Sequence, residues 1–108
     1  MIDSLTLGRK GIGDIEYPLT DAASLKEIEI CKEWLRFHAI PRKAFRKRYS
    51  SYLLKHVVEE HAGTYISNGA FIRAAFEMGY RAKAVGEGNP NVYINADFGV
   101  VYRGEMIR

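Results

Sequence analysis

The sequence contains few of the residues that disulfide, metal-cluster and membrane proteins need. A single cysteine in 108 residues excludes an internal disulfide and a multi-cysteine metal cluster, and it favours a reducing compartment. No hydrophobic run approaches the roughly 18 residues of a membrane span. The opening Met1-Ile2-Asp3 is unlike a signal peptide. We therefore expect a cytoplasmic protein without a membrane partner.

The chain does contain enough apolar material for one folded domain. Hydrophobic residues make up 47% of it and aromatic residues 12%, which is typical of globular proteins and not of disordered ones. At this length we expect a single domain over residues 1–108. Residues 1–19 predict an irregular arm with a short strand at 4–7, residues 20–79 a helical part, and residues 80–102 a β-hairpin region.

The first predicted helix has a capping signal at its start and a proline at its end. Ser24 and Glu27 have the spacing of a capping box. Pro41 should end the helix near Ala39, because the residue before proline avoids the helical region. Cys31 lies in the apolar stripe, so we interpret it as a small core residue. The stripe consists of Leu25, Ile28, Cys31, Leu35 and His38.

Two more helices and a hairpin follow. Ser50-Ser51 and Gly63 bound a helix over residues 52–61, and Ser67 and Gly79 bound another over residues 68–78. Residues 80–85 and 91–96 are strand-like and are joined by a loop of Gly, Asn and Pro. Residues 100–102 predict a third strand. The fold class predicted is α+β, with three helices followed by a β-hairpin in a winged-helix-like arrangement.

The net charge of +3 hides an uneven distribution. Residues 41–55 carry six basic and no acidic side chains, whereas the rest of the chain is slightly acidic. Five of the six lie at 42–48, which we call the basic segment, and that segment could also form a short helical turn. Such a cluster favours contacts with phosphate, although a solvated basic turn gives the same pattern. The six residues are Arg42, Lys43, Arg46, Lys47, Arg48 and Lys55.

A winged helix-turn-helix places the second helix of its pair in the DNA major groove. In this chain that helix is the one over residues 68–78. Asparagine and arginine can make paired hydrogen bonds to adenine and guanine. The candidate base contacts are Ser67, Asn68 and Arg73, and the predicted wing residues are Lys83, Asn89 and Asn91. The phosphate contacts would come from the basic segment and Lys55.

The same residues also have a purely structural interpretation. Asn68 and Gly69 could form a capping turn, and Arg73 with Glu77 could form a surface ion pair between positions i and i+4. A single basic residue on this helix, next to a glutamate, is also a weak phosphate-binding pattern.

No motif predicts a cofactor, a metal site or a catalytic residue. His56 and His61 are five positions apart and so project from different faces of a helix, with His56 placed to pair with Glu60. The glycine-rich residues 8–13 lack the Gly-Lys-Ser/Thr ending of a phosphate-binding loop. We expect a non-enzymatic protein without a cofactor.

Several pieces of the sequence resemble a group of small uncharacterised bacterial proteins encoded on plasmids, prophages and other mobile elements. The pieces are residues 49–56 (YSSYLLKH), 65–75 (YISNGAFIRAA), 79–80 and 91–95 (NVYIN). They cover nearly half of the chain and leave residues 1–40 outside. The resemblance implies an accessory role on a mobile element and no particular activity.

These observations lead to one function and two alternatives. The sequence favours a small nucleic-acid-binding accessory protein that binds DNA in preference to RNA and that could form a homodimer. The first alternative is a protein-binding module or an inhibitor of a host or defence complex. The second is a small enzyme whose site combines residues distant in sequence.

Overall fold

The computed structural model describes residues 7–98 of the chain, which form three helices and six short strands. The fold class is α+β, as predicted. The helices are α1 (Ala22–His38), α2 (Ser51–Ala62) and α3 (Asn68–Glu77). The strands are β1 (Leu7–Gly8), β2 (Gly11–Ile12), β3 (Ala39–Pro41), β4 (Ala82–Ala84), β5 (Val92–Ile94) and β6 (Ala96–Phe98).

The predicted ends of α2 and α3 are confirmed. The Ser50 hydroxyl accepts the Leu53 amide, and α2 ends at Gly63 with a left-handed φ of 70°. The Ser67 hydroxyl accepts the Ala70 amide at the start of α3. Each serine satisfies one of the amides that the first turn of a helix leaves without a partner.

The predicted start of α1 is wrong by one turn. The side chain of Asp21 caps the helix by accepting the Ser24 amide at 2.9 Å, so Ser24 lies inside the helix and is buried. Leu25, predicted in the apolar stripe, is exposed, while Trp34 is buried. The buried face of α1 therefore includes Ser24, Glu27 and Trp34 and leaves Leu25 outside it. Cys31 is a core residue, as expected.

The strand pairs within residues 7–98 are all short and antiparallel. Strand β4 pairs with β5, within the predicted hairpin, and Ala82 lies opposite Ile94. Strand β3 pairs with β6, so that Ala39 lies opposite Phe98. The sequence did not predict either strand of this second pair. Strands also precede α1 and separate α1 from α2, so the predicted succession of helices and then a hairpin is incomplete.

Three further predictions concern segments that lack regular structure or lie outside the described residues. The basic segment contains no helix; residues 43–48 form bends and turns. Of the strand predicted at 4–7, only residue 7 is described, and it begins β1. The strand predicted at 100–102 lies outside the described residues.

Helix α3 is the central element of the core. Seven of its ten residues are buried, and it contacts α1, α2, β1, β2 and β4. Phe71 and Ile72 are almost completely inaccessible, as are Leu35 of α1 and Leu54 of α2. None of the helices in residues 7–98 has the length and apolar composition needed to cross a bilayer.

Residues 7–12 form the first hairpin, in which β1 and β2 are joined by a turn at Arg9 and Lys10. This hairpin packs on the N-terminus of α3, where the Gly69 amide donates to the Arg9 carbonyl at 2.9 Å. A side chain at Gly69 would overlap the Gly8 carbonyl group. Only glycine therefore permits this close approach of hairpin and helix.

Replacing Gly69 by alanine tests this contact. Gly69→Ala is expected to lower the free energy of unfolding by about 1–3 kcal/mol through overpacking, although alanine is the better helix former by about 1 kcal/mol. Chemical denaturation measures the difference. Gly86→Ala is the matched control, because no atom of residues 7–98 beyond its chain neighbours comes within 4 Å of its added Cβ. A Gly69→Ala protein as stable as the wild type would contradict the packing described.

Candidate nucleic-acid interface

Ser67 forms the buried start of α3. Its amide donates to Oε1 of Glu27 at 3.0 Å, a contact between residues 40 positions apart. Its hydroxyl is occupied by the Ala70 amide at 3.1 Å. The prediction that Ser67 contacts a base is therefore corrected. Its side chain is inaccessible, and its amide and hydroxyl both have hydrogen-bond partners within the protein.

Asn68 joins three segments of the chain. Its Nδ2 donates to the Lys10 carbonyl at 3.0 Å and to Oδ1 of Asn91 at 2.8 Å. The side chain is buried beneath the first hairpin. The prediction that Asn68 reads a base is also corrected, because an adenine edge would need the same amide group.

Arg73 makes the structural contact that the sequence offered as the alternative to base reading. Its guanidinium lies 3.7 Å from a carboxylate oxygen of Glu77, one turn along α3. The predicted wing residues are placed in or beside the β4–β5 loop. Asn89 accepts the Asn91 amide at 2.9 Å within that loop, and Lys83 is exposed on β4.

Lys55 is not on the protein surface. Its side chain is 7% exposed, and Nζ donates to Oε2 of Glu59 at 3.1 Å. The ammonium group also lies 4.8 Å from the ring centre of Tyr65 and 5.4 Å from that of Tyr52. The prediction that Lys55 contacts phosphate is corrected, because burial and the carboxylate partner remove it from the basic surface.

Glu59 is the acceptor that holds this region together. It accepts from Lys55, from the Ile66 amide at 3.1 Å and from His56 at 2.8 Å. His56 was predicted to pair with Glu60 and instead pairs with Glu59. Burial acts to raise the pKa of Glu59, but the three hydrogen bonds together hold that pKa below its ordinary value. Glu59 is therefore anionic at neutral pH.

The backbone of the basic segment is fixed along β5. The Arg42 amide donates to the Asn95 carbonyl at 2.9 Å, and the Arg46 amide donates to the Ile94 carbonyl at 3.1 Å. The Asn95 side chain donates in return to the Arg42 carbonyl at 3.0 Å. These three hydrogen bonds hold the irregular backbone of the basic segment in one position, although it forms no helix.

The side chains of the segment divide into two groups. Arg42 and Arg46 converge on Oδ2 of Asp97, at 3.4 and 3.5 Å. The remaining three are exposed: Lys43, Lys47 and Arg48. Among residues 7–98, neither lysine has a carboxylate within 4.0 Å, so their charges face solvent.

Two further basic residues extend this surface. Arg81 donates to the Lys43 carbonyl at 2.6 Å, and its guanidinium lies 5.2 Å from the ring centre of Phe45. Arg81 directly precedes β4, and Lys83 lies two positions further along the chain, within that strand; side chains two positions apart in extended chain project to the same side. We call the basic segment together with Arg81 and Lys83 the basic ridge. Arg81 was not predicted to belong to this surface, because only the pairing of β4 with β5 brings it there.

The structure describes no arrangement suited to metal or thiol chemistry. Among residues 7–98, no three His, Cys, Asp or Glu side chains are grouped so that they could hold a metal ion. Burial raises the pKa of the Cys31 thiol well above its usual range, and the nearby Glu27 carboxylate acts in the same direction. A thiol in this state is a poor nucleophile.

The Glu59 contacts predict a pH-dependent stability. Glu59→Gln should lower the free energy of unfolding at about pH 7 by about 1–3 kcal/mol, because Lys55 loses its charged partner. A carboxylate with a lowered pKa stabilises the fold above its unfolded pKa, and that contribution is lost as the pH falls. The two proteins should therefore converge as the pH falls through the lowered pKa of Glu59.

Denaturation at several pH values checks this, with Glu60→Gln as the control. Glu60 is exposed on the same helix, and its substitution should change stability by less than about 0.5 kcal/mol. An equal effect of the two substitutions would contradict the role given to Glu59.

Comparison with known proteins finds no family model, curated protein or solved structure that matches this chain. The resemblance to mobile-element proteins stays a prediction.

Proposed function

We propose that this protein binds nucleic acid through the phosphate backbone, using the basic ridge. The observation that carries the proposal is the anchoring of the backbone of the basic segment at the end of β5, since several exposed cations project from that backbone. A segment whose backbone is already held in place loses less conformational freedom on binding a polyanion than a flexible tail does.

The charge of the ridge supports a polyanionic partner. It carries seven basic side chains, and Asp97 is the acid that lies against two of them. Lysine and arginine that neutralise phosphates release condensed counterions, which supplies most of the affinity of sequence-independent binding. The exposed Lys43 and Lys47 are the residues best placed to do this.

The proposed binding does not include base reading by α3. The N-terminus of that helix is covered by the first hairpin, and its polar side chains have partners within the protein. Phosphate contacts position a protein on DNA, but they carry no sequence information. We accordingly propose binding with little sequence preference, to DNA in preference to RNA, in an accessory role on a mobile element.

A winged-helix arrangement is compatible with this proposal only in part. Its wing would be the loop between β4 and β5, with Lys83 beside the backbone of the nucleic acid. Its reading helix would have to be an element other than α3. Homodimer formation is a further expectation, because pairs of half-sites are commonly bound by two-fold dimers.

A protein partner is the second candidate, and one observation favours it. Phe37 of α1 is 73% exposed, beside a shallow groove lined by Trp34, Val58 and His61. Exposed aromatic side chains are enriched where proteins bind one another. In this case Phe37→Asp would remove partner binding and leave nucleic-acid binding unchanged.

Charge reversal on the ridge tests the proposed function. Lys43→Glu with Lys47→Glu should weaken binding to a labelled duplex by tenfold or more, because two phosphate contacts become repulsive. Fluorescence anisotropy at about 50 and 200 mM salt should also show a shallower salt dependence, reduced by about one unit of slope per lost contact.

The matched control is Lys26→Glu with Arg36→Glu on the exposed face of α1. Both double variants lower the formal net charge equally, so the control separates the ridge from the charge of the whole molecule. Equal losses from both variants, or no duplex binding by the wild type at low salt, would contradict the proposal.

A further inference from the structure

A pocket of about 690 Å³ opens between the first hairpin, the start of α2 and the link between α2 and α3. Three tyrosines line it, Tyr17, Tyr52 and Tyr65, with exposed fractions of 48%, 52% and 57%. Its volume falls in the range of about 300–1,000 Å³ that is typical of small-molecule sites. Tyrosines exposed together in one concave surface provide stacking faces that the folded core does not use.

A cation lies near each of the three rings. The Lys10 ammonium is 5.0 Å from the ring centre of Tyr17, and the Lys55 ammonium is close to Tyr52 and Tyr65. Lys55 is buried and paired with Glu59, so the exposed positive charge beside these aromatic faces comes from Lys10, which lines the pocket. Such a combination binds planar aromatic groups that carry an anion.

Lys10 is the cation best placed to receive that anion. It is exposed, and among residues 7–98 no carboxylate lies within 4.0 Å of its ammonium group. The nearest acid, Asp14, accepts the backbone amide of Lys10 at 3.0 Å. Arg9 also lines the pocket, but its guanidinium is shared between Asp21 and Glu27 at 3.7 and 3.8 Å.

We propose that this tyrosine pocket binds one nucleotide unit, with the base stacked on Tyr52 and Tyr65 and the phosphate on Lys10. The unit belongs either to a single-stranded nucleic acid or to a free mononucleotide. We call these two possibilities the single-strand form and the mononucleotide form of the proposal. The single-strand form rests on the proposed function, whereas the mononucleotide form does not.

The position of the pocket relative to the basic ridge favours a single strand. Asn91 lines the pocket, and Asn95 at the other end of β5 holds Arg42 of the ridge. Four residues of extended chain span about 13 Å at the usual rise per residue. A short oligonucleotide can therefore contact the ridge with its phosphates while one base enters the pocket.

Replacing two tyrosine rings by leucine tests the single-strand form. Tyr52→Leu with Tyr65→Leu should weaken binding of a labelled oligothymidylate of about 12 nucleotides roughly tenfold or more, because base stacking on the rings is lost. Binding to a duplex of the same length should change less than threefold. Tyr52→Phe with Tyr65→Phe keeps both rings and should retain oligonucleotide affinity.

Thymidine monophosphate tests the mononucleotide form. Its binding, measured by NMR titration, should be weakened by the leucine pair, and Lys10→Gln should reduce its affinity to that of thymidine, which lacks the phosphate. Phe37→Leu is the control, since it removes an exposed aromatic ring that lies outside the pocket. Near-ultraviolet circular dichroism verifies that each variant is folded.

Each outcome decides the inference. Selective loss of oligonucleotide binding in the leucine pair supports the single-strand form, and ring-dependent binding of the monophosphate alone supports the free nucleotide. The inference is overturned if folded leucine variants bind both probes as the wild type and the Phe37→Leu protein do. Failure of the ridge variants to weaken duplex binding would instead contradict the proposed function and leave the mononucleotide result valid.

Discussion

The packing of the first hairpin on the N-terminus of α3 is the constraint that determines which surfaces of this protein stay open to a partner. A glycine at position 69 lets the hairpin backbone approach the helix, and the Gly69 amide bonds to the Arg9 carbonyl. Asn68 extends the contact to the β4–β5 loop through Asn91. Helix amides usually need a cap, solvent or a ligand, and here the protein itself supplies the partners.

This constraint has two consequences for function. It covers the end of the helix that would otherwise be the natural place to bind phosphate or read bases, so the proposed nucleic-acid binding uses another surface. It also places Arg9 and Lys10 beside three exposed tyrosines. Strand β5 then connects the resulting pocket with the basic ridge, because the basic segment bonds to its other end. Phosphate binding and base stacking would therefore be separate functions of neighbouring surfaces.

The sequence predicted the features that local hydrogen bonds determine, such as helix caps. It did not predict the contacts between residues that are distant in the chain. The caps at Ser50 and Ser67 are local hydrogen bonds, and both helix starts were predicted correctly. Glu27 was assigned to the cap of its own helix, yet it bonds to Ser67, 40 residues away. Lys55 was predicted to be a surface cation, but in the structure it is buried beside Glu59. Tertiary partners of this kind leave no periodic signal in a sequence.

We propose that nucleic acid contacts the basic ridge and not the N-terminus of α3. An NMR titration of the isotope-labelled protein with duplex DNA tests it most directly, because every backbone amide reports separately. We expect the largest chemical-shift changes at residues 42–48 and 81–83, with the amides of Ser67, Asn68 and Gly69 unaffected. Largest changes at those three amides and at Arg73 would contradict it.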